Sequence, residues 1–219
     1  MTTLNELHKK LEGHLNQQSE NWDSFIYAQE KGFYQGFDAI EIDGCRSTEK
    51  RFEQYNIQKY LSKKKSALDI GSNCGFFSLY VSKFLETITG IEINPYLTLI
   101  ASDTQEFLEI NNANFISSKF EKFSSDKKFD IVFSFANDST IDSNTDFNFG
   151  EYMGKIINLL KDDGLLIFES QAIDIVIPQK FEPKMEIIKQ FFTILENKTV
   201  KSEYPLNVPE RLFLVLKKK

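Results

Sequence analysis

The sequence predicts an α/β fold: a doubly wound, mostly parallel seven-stranded sheet with an antiparallel C-terminal hairpin, preceded by a helical and aromatic-rich extension. Three observations carry that prediction. From residue 66 onward, short apolar runs alternate with longer segments of helical character. One run, Phe129–Phe135, is almost uninterruptedly apolar, as a central strand covered on both faces is. The run Ala67–Ile70 passes through a glycine-bounded turn, Gly71 to Gly75, straight into the apolar-rich Phe76–Phe84: strand, tight turn, helix.

Taken in order, Leu4, Leu7, Leu11 and Leu15 recur at helical spacing and predict a first helix. His8 and His14 belong to it; six apart, they share no face and read as surface histidines. Trp22–Ile42 is aromatic and punctuated by Gly32 and Gly36, and its Phe25–Ala28 and Ala39–Ile42 stretches fit either short strands or loop packing. Asp43-Gly44 marks a turn, and Ser47-Thr48-Glu49-Lys50 offers an N-cap to a helix running toward Tyr60. The regular alternation then predicts strands at Ser66–Ile70, Thr87–Ile93, Ala113–Ser117, Phe129–Phe135 and Gly164–Ser170. Helices are predicted at Phe76–Phe84, Tyr96–Asn111 and about Phe149–Leu160. Lys180–Gln190 reads as a further helix. Phe191–Lys201 and Arg211–Lys218 read as two strands joined through Pro205 and Pro209, close enough to pair antiparallel. This divides the chain into an extension, residues 1–59, and a domain, residues 60–219.

The turn at residues 71–75 carries the chemistry. Glycines at both ends let backbone approach a ligand closely. Asp69 lies just before the turn, and Glu92 follows Gly71 by 21 positions, the distance at which doubly wound folds hold a ribose diol. The pattern indicates a nucleoside-containing cofactor. A dinucleotide fingerprint needs G-x-G-x-x-G and a P-loop needs Lys-Ser/Thr after its last glycine; here the spacing is G-x-x-x-G and Phe76-Phe77 follow.

Asp69-Ile70-Gly71-Ser72-Asn73-Cys74-Gly75 resembles motif I of class I S-adenosylmethionine (SAM) methyltransferases, acid-x-Gly-x-Gly-x-Gly, with Asn73 at the middle glycine. Asn is the non-glycine residue best able to take a left-handed conformation, so the departure is mild. An acid beside the loop would repel a pyrophosphate and suits a sulfonium. The resemblance covers about residues 60–219, because five parallel strands, a helix and a terminal hairpin are similar to that family's seven-stranded plan. A weaker resemblance joins Gly44–Arg51 (G-x-R-x-x-x-x-R) to an N-terminal extension of small-molecule methyltransferases, including ones from surface-polysaccharide clusters.

The resemblance implies roles for particular residues. Backbone at Gly71, Ser72, Asn73 and Gly75 would line the methionine part of SAM, Asp69 would favour its ammonium, and Glu92 would accept both ribose hydroxyls. Ile93 and Phe120 would flank the adenine, with Lys119-Phe120-Glu121 standing where relatives carry an adenine-binding acid. Ser134, Asn137 and Asp138 end the fourth strand, which faces the transferred methyl. Asp138 is the candidate base and Asn137 an orienting group; an Asx turn or helix cap in the polar loop Asn137–Asn144 explains the same residues equally well. Glu169 and Gln171 fit a partly buried structural hydrogen bond better than a substrate contact. Arg51, and less directly Arg46, would pair with the SAM carboxylate, or else with Glu49 or Glu53 at the surface.

Composition sets outer bounds. With 41% hydrophobic and 26% charged residues, 219 residues build a real core. The net charge of −6 argues against long nucleic acids as substrates. Two cysteines, Cys45 and Cys74, give neither a disulfide framework nor zinc spacing. No metal is expected, although Asp138, Asp142 and Asp146 are clustered acids. No window reaches membrane-spanning length and Met1–Leu15 lacks an apolar leader core, so a cytoplasmic protein is expected. The function expected is methyl transfer from SAM to oxygen or nitrogen of a small-molecule or saccharide acceptor. The alternatives are an RNA or protein methyltransferase, a non-catalytic SAM-binding domain, or a nicotinamide-dependent oxidoreductase, which the glycine spacing disfavours. Neither the acceptor nor the oligomeric state is legible.

Overall fold

The computed structural model describes residues 2–29, 32–138, 145–171, 174, 177–202 and 210–219. Nine strands and six α-helices occur among them. Two short strands, β1 (Phe33–Gly36) and β2 (Gly44–Ser47), pair in parallel outside the main sheet. The main sheet holds β3 (Ser66–Ile70), β4 (Thr87–Glu92), β5 (Ala113–Ser117), β6 (Phe129–Phe135), β7 (Leu160–Glu169), β8 (Phe192–Lys201) and β9 (Glu210–Lys218). Its order is β5-β4-β3-β6-β7-β9-β8. The first five strands are parallel, and β9 runs antiparallel to both β7 and β8. The α/β, seven-stranded prediction and the antiparallel terminal pair therefore agree with the structure. The connection through Pro205 and Pro209, Asp142, and the expected loop beyond residue 138 as far as 144 lie outside the described residues.

The helices are α1 (Leu4–Asn21), α2 (Thr48–Tyr55), α3 (Phe76–Ser82), α4 (Pro95–Phe107), α5 (Phe149–Leu159) and α6 (Pro178–Phe191). Local signals set their ends. Thr3 and Glu6 close a capping box on α1, Asn148 and Glu151 do the same on α5, and Asn94 caps α4 with Pro95 in its first turn. Helix α4 stops short of the predicted Asn111, because Glu109 turns into the left-handed region at φ 54°. The ambiguous stretch 39–42 is neither strand nor plain loop. A single 3-10 turn at Asp38–Ile40 is followed by a bridge between Phe37 and Ile42.

Alternation along the strands feeds two apolar layers. On one face Leu68, Val132, Leu166 and Leu214 pack under Tyr152, Met153 and Ile156 of α5 and Ile188 of α6. On the other, Ala67, Ile131, Phe133 and Phe213 pack under Phe52 and Tyr55 of α2 and Phe77 and Val81 of α3. A third cluster joins Leu7 and Leu11 of α1 to Phe33, Phe37, Phe76 and Ile100, so the extension is anchored to α3 and α4 by shared core. Lys10 and His14 add contacts to Asp103, each at 2.7 Å, and His8 bonds the Ile40 carbonyl at 2.7 Å. The histidines thus fasten α1 to its neighbours. Among the described residues no helix is long and apolar enough to cross a membrane.

The order in which strands are added reverses between β3 and β6, parallel neighbours whose C-terminal ends lie side by side. At that switch point an open sheet presents a crevice.

Candidate active site

The turn after β3 is built from left-handed backbone. Gly71 (φ 65°), Asn73 (φ 54°) and Gly75 (φ 71°) all lie there, Asn73 as its chemistry allows. Space as well as φ demands glycine at two of these positions. A Cβ at Gly75 would come within 2.6 Å of Ala101 Cβ, and one at Gly71 would overlap the Asn137 carboxamide. That carboxamide donates from Nδ2 to the Ile70 carbonyl, tying the end of β6 to the end of β3.

Glu92, at the end of β4, faces the same turn. Its Oε2 accepts the Asn73 N–H at 2.9 Å and its Oε1 the Asn94 N–H at 3.0 Å. The carboxylate is fixed by backbone amides at both oxygens. Gln35, on β1, clamps the turn from the extension: its Nε2 donates to the Ser72 carbonyl at 3.3 Å and its Oε1 accepts the Phe76 N–H at 3.1 Å. Sequence reasoning missed Gln35, since no local pattern links a glutamine to a turn 37 positions away.

A cleft opens here, and Asp69, Gly71, Asn73, Glu92, Ile93, Phe120, Arg51 and Asn137 all line it. Ser72, Gly75, Ser134 and Asp138 are not among its lining residues. Ser134 is fully buried and shares a hydrogen bond with the Tyr152 hydroxyl at 2.8 Å, and it is Tyr152 that reaches the cleft wall. Burial pushes the Asp69 carboxyl up to about 6, against the Ser78 hydroxyl that donates to it at 2.6 Å and the nearby Arg51 charge.

Asp138 departs from the placement expected of a base. Its carboxylate is buried and takes Lys184 Nζ of α6 at 2.6 Å, while Asp174 holds the same ammonium at 2.9 Å. Burial raises the Asp138 carboxyl above its ordinary value, with Lys184 opposing. Burial also works against the Lys184 charge, yet Asp138 and Asp174 hold it above its ordinary value. The carboxylate does not line the cleft, and through Lys184 it braces α6 against the end of β6.

The arginines also differ from their surface alternative. Arg46 and Arg51 are both buried, and neither pairs with Glu49 or Glu53. Arg46 makes a two-pronged pair with Glu169, Nη1 to Oε1 and Nη2 to Oε2 at 2.9 Å each. Glu169 also accepts the Tyr55 hydroxyl and has Arg211 Nε 3.6 Å away. Burial alone would raise the Glu169 carboxyl; Arg46, Arg211 and Arg51 instead hold it down to about 2. Arg51 donates from Nε to the Tyr55 hydroxyl at 3.1 Å and lies over the rings of Tyr55, Phe77 and Phe135. Glu169 is therefore structural, as its position suggested, but fully buried and multiply charged-paired rather than singly hydrogen-bonded. A signal for this did exist: an acid ending the apolar run Leu165–Phe168 needs cationic partners when that run is buried.

The residues present fit SAM. Asn73 Oδ1, Ser72 Oγ and Arg51 Nη1 are buried and lack a hydrogen-bond partner among the described residues, and all three belong to or border the turn and cleft. Among the described residues no cluster of three or more His, Cys, Asp or Glu is placed to hold a metal ion.

Strand order and turn together define a Rossmann-like protein with a nucleoside-cofactor crevice at the switch point. Residues 61–207 match the family profile of the methyltransferase domain. The chain belongs to that family, among the class I, SAM-dependent methyltransferases. A curated relative, the release factor glutamine methyltransferase of Fusobacterium nucleatum subsp. nucleatum, is 33% identical over 98 residues, 43% of this chain. The match covers 25% of that relative, so the chain spans about a quarter of the length of the curated protein it matches. Among solved structures, the N-methyltransferase NodS of Bradyrhizobium japonicum WM9 in complex with S-adenosyl-L-homocysteine (SAH) superposes with TM-score 0.61 at 15% identity. The match covers 97% of this chain and 98% of that one. An rRNA methylase of Streptococcus thermophilus gives TM-score 0.56 at 13% identity over 78% of this chain and 97% of that one. At these identities the likeness is one of fold.

Proposed function

We propose that this chain transfers a methyl group from SAM to an oxygen or nitrogen of a small-molecule or sugar-like acceptor, with residues 1–59 serving as a lid over a catalytic domain at 60–219. The observation that carries the reading is the Glu92 carboxylate, held by the Asn73 and Asn94 amides beside the left-handed turn. So fixed, it is preorganised to accept two vicinal hydroxyls of a ribose without reorienting. Bound SAM supplies an electrophilic methyl group on a sulfonium.

Around it, Ile93 and Phe120 flank the adenine, and backbone of Gly71, Ser72, Asn73 and Gly75 meets the methionine part. Asp69 favours the ammonium and Arg51 Nη1 takes the carboxylate. Ser134 acts through Tyr152, which it orients. Asn137 is the group at the end of β6 that orients the acceptor. Asp138 holds the α6 side of the site through Lys184 and takes no proton. An acceptor amine needs only its neutral form, whereas a hydroxyl must lose its proton to another group or to water. Trp22, Phe25, Tyr27 and Tyr34 of the extension line the cleft mouth. That aromatic, confined setting favours a small acceptor over a nucleic acid, in keeping with the net charge of −6.

Calorimetric titration with SAM, SAH and NAD tests the cofactor, and SAH release over a panel of sugars, amines and small acids tests the reaction. SAM and SAH should bind and NAD should not. Equal binding of NAD, or SAM binding with no SAH release over any acceptor class including RNA and protein, would overturn the reading.

A further inference from the structure

The apolar face of α1 is broken at one position. Leu7 and Leu11 are buried, and the next buried residue of that face is Gln18, only 4% exposed. Leu15 and Trp22 flank it at helical spacing, and all three line the cleft. Among the described residues the Gln18 carboxamide has no hydrogen-bond partner. A buried amide left unmatched costs free energy that a leucine at the same place would not. The fold alone gives no reason for a glutamine there.

The packing of α1 says which part of the cleft Gln18 meets. Lys10 and His14, in the earlier turns of α1, bond Asp103 late in α4, and none of these three lines the cleft. Further along α1 the cleft-lining residues are Leu15, Gln18 and Trp22; at the start of α4 they are Asn94 and Leu97. Leu15 and Leu97 share one apolar cluster. The two helices therefore run antiparallel, and Gln18 comes to the start of α4. There Glu92 Oε1 accepts the Asn94 N–H at 3.0 Å. This inference rests on the reading above, in which Glu92 takes the protons of both ribose hydroxyls. A carboxylate only accepts, so the hydroxyl oxygens still have lone pairs that call for a donor. We propose that Gln18 is that donor, a further cofactor-binding residue whose NH2 group bonds a ribose hydroxyl of SAM from the extension side. A neutral amide suits the place, since a second carboxylate beside Glu92 could not donate. Helix α1 thereby takes part in the cofactor site instead of only covering it.

The test compares the full-length parent with Gln18→Leu. In thermal unfolding without ligand, removing an unmatched buried amide should leave Tm equal or higher, whereas a structural role predicts a fall. In calorimetric titration with SAH, Gln18→Leu should weaken binding by about three- to tenfold, the worth of one hydrogen bond. With the 2′,3′-dideoxy analogue of SAH, read by its displacement of labelled SAH, parent and variant should agree within about twofold, because the hydroxyls are gone. Unchanged SAH affinity, a lowered Tm, or an equal loss with the dideoxy analogue would each overturn the assignment and leave the methyltransferase reading standing. Should Gln18→Leu be too crowded to fold, Gln18→Met, which keeps the length and removes the amide, takes its place in all three measurements. Failure of the parent protein to bind SAH would instead overturn that reading, and this inference with it.

Discussion

The two ends of the cleft are made by opposite means. At the cofactor end, backbone does the holding: Glu92 is gripped by the amides of Asn94, two residues on, and Asn73, 19 residues back. At the other end, beside β7, charged side chains hold one another across long reaches of chain. Glu169 meets Arg46 over 123 positions and Tyr55 over 114. Local backbone devices tolerate sequence change in the rest of the molecule. A buried ionic cluster does not, because removing one member leaves the others charged and unmatched. The first end is thus predicted to govern affinity with little effect on stability, and the second to govern stability.

The sharpest way to break this contrast is Glu169→Gln. It strips Arg46, Arg51 and Arg211 of their shared carboxylate and should destabilise the fold by about 3–5 kcal/mol, read by urea denaturation. A loss below about 1 kcal/mol would mean that the cluster is solvated and the contrast false. At the other end, Glu92→Ala should weaken SAH binding by about 1.5–3 kcal/mol, while the denaturation midpoint moves far less than in Glu169→Gln. Unaltered SAH affinity would remove Glu92 from the ribose.

Asp138→Asn should cost about 1–3 kcal/mol of stability, the worth of a hydrogen bond to a charged group. Its kcat should change less than the roughly 10²–10⁴-fold that loss of a general base brings. A loss of kcat in that larger range would restore Asp138 as the base. The smallest effect is a pH dependence with opposite signs at the two acids. The Asp69 carboxyl, raised to about 6, binds a proton in the folded state before it does unfolded, so its contribution falls as pH rises toward and through that value. Glu169, lowered to about 2, contributes stability above its ordinary range that is lost on acidification toward that value. The thermal midpoint should therefore rise as pH drops from 7 toward 5, and Asp69→Asn should flatten that rise. A parent profile without the rise would refute the burial argument for Asp69.

What could be read from the sequence follows the same division. The strands Ser66–Ile70, Ala113–Ser117 and Phe129–Phe135 lie where their apolar runs placed them. Asn73 occupies the left-handed conformation that its replacement of a glycine required. These features are written within a few residues of one another. The small β1–β2 pair was not legible, since four-residue strands rich in glycine and polar residues carry too short a period to detect. Nor was the fate of Asp138. Whether an acid at a strand end faces a ligand or an ammonium depends on Lys184, 46 positions later on a helix whose docking no local pattern encodes. Arg46 and Arg51 stood out by spacing, but their common partner lay at the end of β7.

Gln35 gives the extension a stake in the cofactor turn. One carboxamide closes both the Ser72 carbonyl and the Phe76 amide, so the turn is complete only while β1 is docked. Thermodynamic reciprocity then requires the converse: whatever affinity SAM gains from a docked β1, β1 gains in protection from a bound SAM. Two events usually treated as separate, loading the methyl donor and docking the first strand of the extension against the turn, become halves of one equilibrium.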